Sequence, residues 1–347
     1  EIRDLEDQIR AQIEVLWQTG DIYLEKPRVI DEVENGLFYF RETFYPLIPT
    51  VLTHLYRTLT RAFPDERFEM PALLQFSSWR GGDRDGNPFV TSEVTRHTLA
   101  RHATFVLELY RNELDDLIRR FSQSVRETDS SEELNRSIKQ DSEAVPDHAA
   151  LQARNPHEPY RVKLATIKRR LAARAEALAA GKDPSAWPAH AYRNTEALLN
   201  DVRLMRRSLE QHGGVNAAAT WLRPLELRVN TFGFHLAKLD LRENSEVLEH
   251  TLEEVAIRAG IGSYLRMPEV ERRAWLQREI ASPRSLLASW HQYSDTAREV
   301  VETFRVIPWA WRMLDRECLG SYILSMTRSV SDILMVYFFV KESGAYT

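Results

Sequence analysis

Three short runs, each closing on a polar, charge-bearing turn that leads into a helical segment, interrupt a sequence whose periodicity is otherwise helical. Strand, polar end, helix is the format of β/α barrels, whose functional groups sit at the carboxyl ends of the strands. The first run, Leu73-Leu74-Gln75-Phe76-Ser77-Ser78-Trp79, passes into Arg80-Gly81-Gly82-Asp83-Arg84-Asp85-Gly86-Asn87-Pro88. Glycines let a backbone approach a ligand closely or take positive φ, and the interleaved arginines and aspartates are paired recognition groups. In the second, Phe234, Leu236, Lys238, Asp240 and Arg242 alternate with smaller or apolar residues before a helix begins at Ser245. The third, Ser321 to Arg328, is followed by Ser329-Val330-Ser331-Asp332, in which Ser329 and Asp332 fit a capping box.

The remainder repeats apolar residues at three- and four-residue steps. Residues 1–18 do so through Ile2, Leu5, Ile9, Ile13 and Leu16, residues 31–63 through a more aromatic stripe, and residues 93–125 through Leu99, Phe105, Leu107, Leu109, Leu114 and Leu117. Such stripes are expected to be core. Further helices are expected over 193–212, 245–260, 268–281 and 294–306. Residues 126–160 are rich in Ser, Asp, Glu and Asn and contain prolines, which predicts a polar connection with one helix inside. The basic stretch 161–174 that follows is expected to be a solvated face, with an anionic ligand or a subunit contact as the minority reading.

Composition removes several classes of function. A formal net charge of −5 does not suit duplex DNA or an anionic membrane, and no run of about 20 uncharged apolar residues spans a bilayer. A single cysteine, Cys318, leaves no intramolecular disulfide and no thiolate zinc site, which points to a reducing cytosol. The chain opens without Met and closes on an apolar run ending Ser343-Gly344-Ala345-Tyr346-Thr347, so we expect it to be part of a longer polypeptide. Asp83-Arg84-Asp85-Gly86-Asn87 has its glycine fourth, whereas a calcium loop needs it sixth. Buried arginine–aspartate pairing that only holds loop geometry is the bland reading of Asp83, Arg84 and Asp85. The closest histidines, His97 and His102, are five apart and do not share a helix face. Arginines and carboxylates at strand ends suit an anionic substrate, and the residues alone lead to no particular reaction.

Ser78 to Pro88 closely resembles a signature of the phosphoenolpyruvate carboxylases. Phe232-Gly233 with Asp240-Leu241-Arg242-Glu243-Asn244-Ser245, Ser325-Met326-Thr327-Arg328-Ser329-Val330-Ser331-Asp332, and Glu158-Pro159-Tyr160-Arg161 are similar to further segments of that family in the same order. The resemblance implies an α-rich α/β chain, an incomplete portion of a (β/α)8-barrel enzyme with many additional helices, forming a partial domain over 1–347. It implies a cytoplasmic, magnesium-dependent homotetramer that carboxylates phosphoenolpyruvate with bicarbonate to oxaloacetate and phosphate. In the family, bicarbonate attacks the phosphoryl group, and the CO2 released from carboxyphosphate is captured by the enolate. Arg242 then matches an arginine that contacts the substrate phosphate, a task suited to an always-charged, bidentate guanidinium. Trp79 matches a wall of the bicarbonate/CO2 pocket, its bland alternative being plain packing. Asp83, Arg84 and Asp85 match loop scaffolding, while Arg80, Gly81, Gly82, Asn87, Asp240 and Arg328 complete the near-site motifs.

The departures are specific. No Thr-Ala-His-Pro-Thr segment carrying the family's catalytic histidine occurs, and its metal-binding carboxylates, catalytic lysine segment and mobile arginine–glycine loop are also missing. The catalytic histidine and the Mg2+ ligands are therefore expected outside this chain, and the chain alone is expected to be inactive. Arg80 stands where the family usually has Met or Ile. A truncated, non-catalytic helical scaffold or anion-binding module is the competing reading, and a lyase or kinase acting on another phosphorylated acid is a third. The retained Trp79, Arg242 and Asp83–Asp85 run favour a piece of a working enzyme.

Overall fold

The computed structural model describes residues 2–19, 27–66, 68, 70–287 and 292–345. Glu1, the Ile2 side chain, Tyr346 and Thr347 lie outside the described residues. Helices α1 (Ile2–Gln18), α2 (Val29–Tyr39) and α3 (Tyr45–Ala62) precede the short strand β1 (Ser77–Ser78). Helices α4 (Ser92–Arg120), α5 (Glu132–Ala144), α6 (His148–Arg154), α7 (Pro159–Ala179), α8 (Thr195–Gln211), the single turn α9 (Val215–Ala217) and α10 (Arg223–Phe232) lead to β2 (Lys238–Asn244). Helices α11 (Ser245–Arg258), α12 (Glu269–Ala281) and α13 (Asp295–Met313) lead to β3 (Leu319–Ser325), and α14 (Val330–Glu342) follows. The α-rich α/β expectation holds: the strands form a parallel sheet in the order β1-β2-β3 amid the helices.

Proline chemistry shapes two of these helices. Wide π turns at Phe40–Phe44 and Ala218–Leu222 sit just ahead of Pro46 and Pro224. A proline ring clashes with the carbonyl four residues earlier, and widening that turn is how the chain runs through it. The stretch 126–160 holds two helices, α5 and α6, and buries Leu134 and His148.

Two apolar clusters carry the packing. One joins α3, α4, α7, α8 and α10 through Tyr110, Leu164, Leu199, Val229 and Phe232; the other packs α11, α13 and α14 under the sheet through Leu241, Leu252, Phe304 and Phe338. Each such side chain contributes about 1.5–3 kcal/mol when fully buried. Phe76, stacked on Phe232 with centroids 5.5 Å apart, anchors the approach to β1, and its carbonyl accepts the Lys238 amide at 2.8 Å. That contact sets β1 beside β2.

Expectations about burial need correcting, the 31–63 stripe among them, where Phe38, Leu47, Val51 and Leu55 are exposed. The α1 stripe is not core: Leu5, Ile9, Ile13 and Leu16 are exposed, because no element among the described residues covers them. The basic stretch 161–174 is not a solvated face, because acidic side chains and backbone carbonyls draw its charges inward. Lys163 is fully buried between Asp141 and Asp201, each at 2.7 Å. Lys168 pairs with Asp115, Arg170 with Asp201, and the buried Arg174 donates to the carbonyls of Tyr192, Arg193 and Leu314.

Candidate functional site

Parallel strands put the three motif ends on one edge of the sheet. On β2 the alternation is strict: Leu239, Leu241 and Glu243 face the core, while Lys238, Asp240, Arg242 and Asn244 lie on the half-exposed face. Beyond β1, the loop continues as an extra rung against β2. The Arg242 amide donates to the Gly82 carbonyl at 2.9 Å, and the Arg84 amide donates to the Arg242 carbonyl at 2.9 Å. Gly82 is required by this approach, since a Cβ there would stand 2.2 Å from the Asp240 carbonyl oxygen. Gly81, at φ +84°, donates no side chain either, and its carbonyl accepts the Thr95 hydroxyl at 2.8 Å.

The rung delivers two carboxylates to one guanidinium. Arg242 Nη1 donates to Asp83 Oδ2 at 3.3 Å and Nη2 to Asp85 Oδ2 at 2.8 Å, while its side chain stays 41% exposed. A guanidinium has five donors, and these two bonds engage two of them. Asp83 Oδ1 also accepts the Asp85 amide at 3.1 Å, which keeps the two acids at a fixed spacing. Asn244 caps α11 through the Glu246 amide at 2.9 Å. The Ser245 hydroxyl donates to the Met326 carbonyl at 2.8 Å, joining the ends of β2 and β3. Met326 has φ +55° and is exposed, a strained backbone position just past a strand end.

Arg84 faces the other way. Its Nε donates to Glu243 Oε2 at 2.9 Å, and its Nη1 to Glu299 Oε1 at 3.0 Å and to the Thr303 hydroxyl at 2.6 Å. Burial raises the pKa of Glu243, with the Asn244 amide and Arg84 opposing it. Burial would raise Glu299 too, but the Ser92 amide and Arg84 together outweigh it and hold this carboxyl below its ordinary value.

The remaining motif residues divide. Trp79 is 64% exposed among the described residues. Arg80 reaches away to α2, donating to the Glu32 carbonyl at 2.9 Å. Asn87 closes a local turn by accepting the Phe89 amide at 3.1 Å. Asp240 braces β3 by accepting the Ser321 amide at 2.7 Å. Arg328 pairs with Glu249 at 2.8 Å, and the Ser329–Asp332 capping box forms at the start of α14. Arg242, Asp83 and Asp85 are thus brought together directly, while Arg80, Asn87, Asp240 and Arg328 each bond to other parts of the chain. Sequence reasoning missed Glu243 and Glu299. Glu243 had a signal, because strand alternation places a carboxylate on the buried face with Leu239 and Leu241, where it needs a cation; Glu299 had none.

The family model described as Phosphoenolpyruvate carboxylase matches residues 1–347 of this chain. A curated protein named phosphoenolpyruvate carboxylase from Roseiflexus castenholzii is 37% identical over 345 residues, covering 97% of this chain and 37% of the relative. One of the same name from Methylorubrum extorquens is 36% identical, covering 99% of this chain and 37% of the relative. Another from Ralstonia nicotianae is 36% identical over 97% of this chain and 34% of its own length. The chain therefore spans little more than a third of the length of the curated relatives it matches.

Proposed function

Because the chain belongs to the phosphoenolpyruvate carboxylase family, we propose that it supplies the substrate-phosphate arginine of an enzyme that joins bicarbonate to phosphoenolpyruvate, giving oxaloacetate and phosphate. The observation that carries this reading is Arg242 at the end of β2, held by Asp83 and Asp85 through two of its five donors and with its side chain still 41% exposed. A guanidinium so placed binds phosphate bidentately and keeps its charge throughout. Trp79, exposed at the end of β1, is proposed to wall the bicarbonate and CO2 pocket, where excluding water keeps CO2 from escaping. We place the three strands in a (β/α)8 barrel, with the half-exposed face of β2 toward its interior, and the enzyme in a cytoplasmic homotetramer.

The local charge bears on how the site works. Asp83 and Asp85 together outweigh Arg242, so this cluster alone does not attract an anion, and further positive charge has to come from outside it. Among the described residues no three His, Cys, Asp or Glu side chains converge as metal ligands, and Asp83 and Asp85 are turned onto Arg242. These residues do not fit a magnesium ion, and we place its ligands, with the catalytic histidine, outside the described residues. The 347-residue chain alone is accordingly proposed to be inactive.

Oxaloacetate formation from phosphoenolpyruvate and bicarbonate, followed by coupled reduction, tests the reading. The polypeptide carrying this chain in its full length is expected to turn over, and the purified 347-residue chain is expected to give no signal above background. Carboxylation by the 347-residue chain alone, or none by the full-length polypeptide, would overturn it.

A further inference from the structure

Arg84 lies between the two aspartates that face Arg242, yet its own side chain is directed to the buried side of the sheet. There it joins three separate pieces of the chain: its own loop, Glu243 of β2, and Glu299 with Thr303 of α13. Glu243 is the residue immediately after Arg242. Its second oxygen accepts the Asn244 amide at 3.0 Å, so the carboxylate cannot swing without disturbing the strand end. Glu299 in turn accepts the Ser92 amide at the start of α4. The Arg84 and Glu243 side chains are only 10% and 6% exposed.

Stability does not explain this arrangement, because a buried ion pair roughly breaks even against apolar residues of similar volume. Geometry does. The two backbone bonds hold the loop to the edge of β2, and the Arg84 fork holds it from below against β2 and α13. With both in place, Asp83 and Asp85 have one position relative to Arg242. The Thr95 hydroxyl on the Gly81 carbonyl and Arg80 on the Glu32 carbonyl hold the start of the loop, and Arg84 is the side chain that ties its Asp83–Asp85 segment to α13.

We propose that Glu243 and Glu299, acting through Arg84, are positioning residues for Arg242, locking the acidic loop so that Asp83 and Asp85 hold the guanidinium in its phosphate-receiving orientation. The proposal rests on the reading of Arg242 as the phosphate ligand. It assigns a substrate-affinity role to Glu299, a helix residue 57 positions beyond Arg242.

The test is a double-mutant cycle in the full-length polypeptide, read as KM for phosphoenolpyruvate and as kcat. Glu243→Gln and Glu299→Gln are each combined with Arg242→Lys, with melting temperatures to confirm folding. Each single glutamine variant is expected to raise KM about tenfold with kcat within about twofold, since misplacement of a binding group by about 1 Å is costly. On the Arg242→Lys background the same substitutions are expected to add less than about twofold, because the group they position is already lost. Arg84→Lys keeps the charge but loses the planar fork, and is expected to match Glu299→Gln. Additive losses on the Arg242→Lys background, or an unchanged KM in the glutamine variants, would overturn the proposal. Unchanged kinetics in Arg242→Lys itself would instead remove the phosphate reading, and this proposal with it. Should Glu243→Gln fail to fold, Glu299→Gln, at a side chain 33% exposed, carries the cycle.

Discussion

Replacing Gly82 by alanine probes how the loop is carried by the sheet. The new Cβ would lie 2.2 Å from the Asp240 carbonyl oxygen and 3.2 Å from Leu239 Cγ. Both belong to the central strand, so relief has to come from the loop, which must withdraw by about 1 Å to reach ordinary contact. Withdrawal breaks the Arg242 amide to Gly82 carbonyl bond and the Arg84 amide to Arg242 carbonyl bond, both 2.9 Å. Each is worth about 1 kcal/mol net, and overpacking adds about 1–3 kcal/mol. The expected cost is about 3–5 kcal/mol. Gly86, in the same loop, is the control. Its φ of +79° disfavours alanine, but a Cβ there meets nothing within 4 Å, so the cost is only the left-handed penalty of about 1–2 kcal/mol. Urea denaturation of the 347-residue chain, followed by circular dichroism, reads both variants against the parent. A loss below about 1 kcal/mol for Gly82→Ala, or equal losses at the two positions, would refute the steric argument.

Two further predictions concern buried ionisable groups. Lys163→Met removes the cation from Asp141 and Asp201. Breaking a buried pair costs about 3–5 kcal/mol, and the lower end is expected because Asp201 retains Arg170 and the Tyr192 hydroxyl; a denaturation midpoint equal to the parent's would contradict this. His102 has its pKa pushed down from 6.5 to about 4, chiefly by burial. A base depressed in the folded state takes its proton first in the unfolded chain, so its contribution is complete above pH 6.5 and is lost as pH falls toward 4. Up to about 3 kcal/mol is involved. His102→Gln is expected to flatten the fall in stability between pH 7 and pH 4.5, and an unchanged slope would count against the assignment.

The helices were legible because their apolar residues recur locally, and capping residues such as Ser329 with Asp332 mark where one begins. Burial was less legible. The α1 stripe reads like any core stripe, yet among the described residues nothing covers Leu5 to Leu16. The charges of 161–174 read as a surface because their acceptors, Asp115, Asp141, Asp201 and the Leu314 carbonyl, are distant in sequence. The expected strand at 73–79 shrinks to Ser77–Ser78, since among the described residues no strand lies beside those before Phe76, and Leu73 and Leu74 stay exposed. At the site, the Gly-Gly-Asp-Arg-Asp run announced a loop near ligand chemistry. Which aspartate meets which arginine was decided by a parallel register between segments nearly 160 residues apart. Arg84, read together with its neighbours, turned out to serve the opposite face of the sheet.

The most direct measurement is a crystal structure of the full-length polypeptide with a non-reactive phosphoenolpyruvate analogue, such as phospholactate. The account predicts phosphate oxygens about 2.7–3.1 Å from Arg242 nitrogens, with Asp83 and Asp85 still holding the opposite side of the guanidinium. A phosphate bound elsewhere, with Arg242 engaged only by the two aspartates, would contradict it.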